Sequence, residues 1–176
     1  YKVVIWLDGT IEIIWNRTSE YILYNINKEK IIGWNHEFRY GCLRKEVAAS
    51  LLIGRYTTTS WNGQSQPYQD VISQYKYYLE DGYDDKNYFK NLNSHTPHMG
   101  VWVTCFVAFL HNDKDVKKFL DLWYLQTLKY TTQDQIGFPY VCQKTNIIPF
   151  TLPNNIIHGK SPHSNTKFYI KHDHNK

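Results

Sequence analysis

The opening segment, Tyr1-Lys2-Val3-Val4-Ile5-Trp6-Leu7-Asp8-Gly9, constrains the fold more than any other stretch of the chain. The run from Lys2 to Leu7 is too continuous in apolar residues for a strand with one wet face, so it reads as a buried central strand. An unpaired carboxylate is costly to desolvate, and Asp8 at the end of such a strand therefore calls for a reason. In open α/β sheets, ligands sit at the carboxyl ends of the strands. Asp8 at that point, with Gly9 letting a ligand approach the backbone, suits a divalent cation held against a phosphate. The plainer alternative is that Asp8 starts an Asx turn.

With 176 residues, the chain is expected to form one domain with a real core. Net charge is +4, and the Lys and Arg residues are scattered, which speaks against a dedicated nucleic-acid binder. Cys42, Cys105 and Cys142 are odd in number and lack metal-type spacing, so free, buried thiols are expected rather than a disulfide framework. The longest apolar run, Val101 to Leu110, is far short of a membrane span. The chain starts with Tyr1, inside a strand, as a piece of a longer protein would.

Periodicity predicts alternating elements in one mixed α/β unit. After strand 2–7, Ile11 to Trp15 is extended, Tyr21 to Lys30 is ambiguous, and Ile31 to Trp34 reads as a strand. Arg44 to Ile53 reads as a helix stopped by Gly54. Gln69 to Glu80 is a second helix with Val71, Ile72, Tyr75, Tyr78 and Leu79 inward and Gly82 beyond its end. Val101 to Leu110 is a buried strand. Asn112 or Asp113 caps an amphipathic helix on which Val116, Phe119, Leu120, Trp123 and Thr127 recur at helical spacing. Thr131 or Thr132 starts a short helix carrying Asp134-Gln135. The tail from about 164 is expected to be flexible.

Polar constellations compete for the chemistry. Besides Asp8, Asp134-Gln135 places an acid and an amide near a helix N-terminus, which suits hydroxyl-rich ligands and anions; Asp134 as a plain helix cap is the alternative. His158-Gly159-Lys160 brings an imidazole and an ammonium together, a compact way to bind metal and phosphate, or else an ordinary polar turn. His36-x-x-Arg39, with Glu46 farther along, fits a ligand contact or a structural salt bridge. His172 and His174, in the terminal tail, fit disorder or fortuitous metal affinity better than a site.

Trp6-Leu7-Asp8-Gly9, His36-x-x-Arg39 with Cys42 and Glu46, Gln74-x-x-x-Tyr78-x-x-x-Gly82 and Asp134-Gln135-x-x-Phe138-x-Tyr140-Val141 occur in an order that resembles the TOD/MUCI glycosyltransferase-like domain, from Tyr1 to about Pro153. Arg44 and Lys45 stand where that family has an aromatic and an acid, and Gln133 stands where it often has Arg. The order is also similar to family 8 glycosyltransferases, with His158-Gly159-Lys160-Ser161-Pro162 in place of their longer late motif and Thr10 where a second Asp would stand.

The resemblance implies an α/β, GT-A-like mixed open sheet flanked by helices, with a nucleoside-binding half upstream of residue 1. It implies a glycosyltransferase that moves a sugar from a nucleotide-sugar donor to a glycan or glycoprotein acceptor. Asp8 and His158 would hold Mn²⁺ or Mg²⁺. Asp8, Gly9, His36, Arg39 and Lys160 would bind the donor, while Asp134 and Gln135 would be catalytic. Trp61, Trp102 and Trp123 are core residues or sugar-stacking platforms. An inactive GT-A-like domain that binds glycan or serves structure, and a metal-dependent hydrolase, are the alternatives.

Overall fold

The computed structural model describes residues 1–52, 69–89, 99–152 and 169–171. Within them the chain forms two compact units, the first from Tyr1–Asn35, Val103–Lys117 and Ile148–Lys176, the second from His36–Trp102 and Lys118–Ile147.

The first unit holds a four-stranded open mixed sheet in the order β1-β4-β3-β5, from β1 (Val3–Leu7), β3 (Ile31–Asn35), β4 (Trp102–Leu110) and β5 (Phe150–Leu152). β1 is antiparallel to β4, with Val3 opposite Leu110 and Leu7 opposite Phe106, and β3 is parallel to β5. β3 runs against β4, because Lys30 O accepts from Leu110 N at one end while Val101 O accepts from His36 N at the other. β1, β3 and β5 therefore point the same way, and their carboxyl ends share one edge of the sheet.

β1 is not the buried central strand that its apolar run suggests. Among the described residues it pairs with β4 alone, and Trp6 is 58% exposed. Continuous apolarity does mark β3 and β4, whose residues are buried from Ile31 to Asn35 and from Trp102 to Ala108. The run in β1 has the same composition but only one neighbouring strand.

The ambiguous stretch before β3 is helix α1 (Thr18–Glu29), because Thr18, Ile22, Asn25 and Ile26 fall on one buried face. Ile22 and Ile26 pack on Ile32, Trp34, Val103, Cys105, Phe106, Ala108 and Leu152 from the sheet. Lys30 ends the helix in a left-handed conformation, and its ammonium bridges Asp113 at 3.1 Å and Asp115 at 2.6 Å. β2 (Ile11–Ile13) pairs antiparallel with β6 (Tyr169–Lys171), so part of the tail expected to be flexible is a strand.

The second unit is helical. It contains α2 (Leu43–Leu52), α3 (Val71–Glu80), α4 (Lys114–Lys129, from Lys118 on) and α5 (Asp134–Thr145). Asp85 caps α2 from a distant segment, accepting from Leu43 N at 2.5 Å and Arg44 N at 3.2 Å. α4 is capped by Asp113, which accepts from the amides of Asp115 and Val116. Phe138 of α5 lies in an aromatic cluster with Trp102, Phe119 and Trp123, so Trp102 and Trp123 are packing residues. Tyr140 stacks on Tyr78 at 3.9 Å.

On α3 the buried face is Val71, Gln74 and Tyr78, and the expected Ile72 and Leu79 are exposed. A polar residue takes the inward place because it finds partners there: Gln74 Nε2 donates to Tyr78 Oη at 2.7 Å and Gln74 Oε1 accepts from Thr131 Oγ1 at 2.8 Å. Cys105 and Cys142 are buried free thiols and Cys42 is a half-buried one. No helix among the described residues is long and apolar enough to cross a membrane.

Asp70 caps α3 by accepting from Ser73 N at 2.9 Å and Ser73 Oγ at 2.7 Å, and these bonds hold its carboxyl below the ordinary value of 3.8. Asp70→Ala should cost about 1 kcal/mol in denaturant unfolding near neutral pH. A folded-state value below the unfolded one gives stability above 3.8 that is lost as the acid protonates. The difference between wild type and variant should therefore close as the pH falls through that range.

Candidate functional site

Two of the segments singled out by sequence, His36-x-x-Arg39 and Asp134-Gln135, meet in the second unit on one buried carboxylate, Glu46. Glu46 lies in the first turn of α2 and its side chain is 4% exposed, so it needs partners on both oxygens. Arg39, at the end of a short 3₁₀ turn from Glu37 to Arg39, donates Nε to Glu46 Oε2 at 2.5 Å. His36 Nε2 lies 3.6 Å from the same oxygen, and its side chain is equally buried. Glu46 Oε1 accepts from Gln135 Nε2 at 2.8 Å and from Gln133 Nε2 at 3.0 Å. Gln133 Nε2 also reaches Ser50 Oγ, one turn along α2 from Glu46, at 3.2 Å.

An ionised carboxylate only accepts, so the orientation of both amides follows from Glu46. Each glutamine turns its NH₂ toward the acid. For Gln135 this leaves Oε1 as an acceptor without a partner among the described residues. Arg39 commits Nε to Glu46, and its terminal nitrogens have no acceptor among the described residues.

The loop before α5 is held from several sides. Thr131 is tied to Gln74 of α3, and Thr132 donates both N (2.6 Å) and Oγ1 (2.9 Å) to Gln69 Oε1. Trp123 Nε1 of α4 donates to the Asp134 carbonyl at 2.8 Å. Gly137 lets α4 come close, since a Cβ there would lie 3.2 Å from Gln126 Cβ. Pro139 has no N–H to offer the Gln135 carbonyl four residues back. Asp134 is the first residue of α5 and the cap position belongs to Gln133, so the alternative of Asp134 as a plain helix cap does not hold. An acid in that first turn is favoured by the helix dipole.

Farther along α5, Asp81 accepts from Tyr140 Oη at 2.6 Å and pairs with Lys144 at 2.6 Å. The Lys144 bond, then the Tyr140 bond, hold the Asp81 carboxyl below its ordinary value. Burial, then Asp81, raises the Tyr140 phenol.

Asp8 belongs to the first unit. It follows β1 directly, as expected of a strand-end acid, and its N–H donates to Cys105 O at 2.9 Å. Its Oδ1 accepts from Thr10 N at 3.2 Å in an Asx turn, so the plainer alternative does hold for that oxygen. Oδ2 has no hydrogen bond among the described residues, which leaves Asp8 able to act as a single-oxygen cation ligand. A Cβ on Gly9 would meet nothing within 4 Å, so the backbone there is open to close approach. His158, Lys160, Trp61, His172 and His174 lie outside the described residues, and no group of three metal-ligating side chains occurs among the described ones.

The structure thus joins His36, Arg39 and Gln135 through Glu46. The roles of Gln133, Ser50, Gln69 and Gln74 were not visible in sequence, because nothing local signals partners so far away. No family model, curated protein or solved structure matches this chain.

Glu46→Gln tests the network. An amide accepts on one atom only, so its NH₂ must face either Arg39 or the two glutamine NH₂ groups. The expected loss is about 2 kcal/mol in chemical unfolding. Arg39→Gln in the same molecule supplies an acceptor, and the double variant should lose clearly less than the sum of the single ones. Simple additivity would show that Arg39 and Glu46 are not energetically coupled.

Proposed function

We propose that this chain carries the metal-proximal and acceptor side of a GT-A-type glycosyltransferase that moves a sugar from a nucleotide-sugar donor to a glycan or protein-linked acceptor. The observation that carries the reading is the meeting of His36, Arg39, Glu46 and Gln135 in one network. His36, Arg39 and Glu46 belong to one motif and Gln135 to another, 89 residues beyond Glu46. A mixed open sheet whose same-direction strands end at one edge, with Asp8 on that edge, also supports it.

In this reading Asp8, with its spare oxygen, and His158 hold Mn²⁺ or Mg²⁺. When bound, such a cation offsets the charge of the departing nucleoside diphosphate. Arg39, with Nε anchored on Glu46, offers its terminal nitrogens to a phosphate oxygen, and Lys160 assists at the phosphates. Gln135 Oε1 accepts from a sugar hydroxyl, in an orientation fixed by Glu46. Asp134 accepts from the acceptor hydroxyl at the start of α5. His36 is buried and acts through Glu46. A second reading, a GT-A-like domain kept for binding without turnover, is favoured by the engagement of Asp8 Oδ1 in its own turn.

The test is release of nucleoside diphosphate from UDP- and GDP-sugars in the presence of Mn²⁺. Asp134→Asn should lower the rate at least about 100-fold with the thermal midpoint nearly unchanged. EDTA should abolish turnover, and His158→Ala should raise the Mn²⁺ concentration needed for half-maximal rate. Activity should also fall as pH drops through about 6.5, where an ordinary imidazole protonates and stops binding metal. Full activity in EDTA would remove Asp8 and His158 from the mechanism. A folded protein that turns over no donor would favour the binding domain.

A further inference from the structure

The first unit carries a concave feature that the transfer reading does not use. Trp15, Arg17, Glu20, Tyr21 and Tyr24 line a cavity of about 380 Å³ where the chain enters α1. Its floor is fixed. Trp15 O accepts from Thr18 Oγ1 at 2.7 Å, and Trp15 and Tyr21 pack against the sheet core. The Trp15 and Tyr21 rings lie 5.8 Å apart at 59°, and Tyr21 meets Phe150 edge-on at 6.4 Å. The rim is polar, with Arg17 Nε donating to Glu20 Oε2 at 2.9 Å and both side chains about two-thirds exposed.

The chemistry of the lining narrows the ligand. The Trp15 and Tyr21 rings are inclined at 59° to each other, so they do not offer the two parallel faces that clamp a planar base. Arg17 and Glu20 offset each other, so the rim attracts neither anion nor cation strongly, yet it offers guanidinium donors beside carboxylate acceptors. A quaternary ammonium is disfavoured, because Lys28 already sits 4.2 Å over the Tyr24 ring and Arg17 stands at the rim. What remains is a neutral ring with apolar C–H faces and hydroxyls at its edge. We propose that this cavity is a saccharide-binding site, with Trp15 and Tyr21 under the ring, Tyr24 at its flank, and Arg17 and Glu20 bonding adjacent hydroxyls. The site is separate from the proposed transfer chemistry and would serve a catalytically inactive domain equally well.

The test labels the whole chain with 5-fluorotryptophan and follows the Trp15 ¹⁹F resonance, assigned with Trp15→Phe. The probes are the methyl glycosides of glucose, galactose, mannose and xylose, with choline and inorganic phosphate as the competing chemistries. At least one glycoside should shift the Trp15 signal saturably. Tyr24→Ala and Arg17→Ala, both at exposed positions that do not threaten the fold, should each weaken that binding about fivefold to tenfold. Asp134→Asn should leave it intact, which separates this site from the transfer reading. The proposal is overturned if no glycoside moves the Trp15 signal, if the shift survives both rim substitutions, or if choline or phosphate alone saturates the cavity.

Discussion

Burial of Glu46 is the constraint from which the second unit follows. A carboxylate at the start of α2, closed off from water, must be met by donors on both oxygens or raise the free energy of the fold. The chain meets it with Arg39 from the 3₁₀ turn and with Gln133 and Gln135 from the start of α5. One acid thereby ties the 3₁₀ turn, α2 and the start of α5 together. The clamp on the loop from Thr131 to Gln133 has the same character, since Gln69 and Gln74 tie it to α3. Polar bonds set the geometry here, while the cluster of Trp102, Phe119, Trp123 and Phe138 supplies the apolar burial.

The first unit is organised differently. Its core is aliphatic and aromatic, built from α1 and the sheet. Asp8 illustrates the division of labour, with its N–H continuing the ladder to β4 and its carboxylate starting the turn to β2. The cavity by Trp15 lies where a strand-to-helix connection leaves aromatic faces only partly covered.

Helical periodicity made α2, α3 and α4 legible, and continuous apolar runs made β3 and β4 legible. The same kind of run failed at β1, because apolar continuity reports composition and not the number of neighbouring strands. Periodicity also failed on α3, where Ile72 and Leu79 were expected inside and Gln74 occupies the inward place. Gln74 is buried because Tyr78 and Thr131 satisfy it, and Thr131 lies 57 residues away. At the site, His36, Arg39, Asp134 and Gln135 stood out by residue type and order. Glu46 as the hub of His36, Arg39 and Gln135 did not, because its glutamine partners lie 87 and 89 residues further along, and no local pattern encodes that distance.

Hydrogen exchange resolved by residue, compared between wild type and Glu46→Gln, shows directly whether this acid holds the start of α5 in place. Faster exchange is expected at the amides of Thr132, Gln133 and Ile136, which bond within or next to the clamped loop, with β3 and β4 keeping their protection. Unchanged protection at those amides, or an equal loss across the sheet, would contradict that role for Glu46.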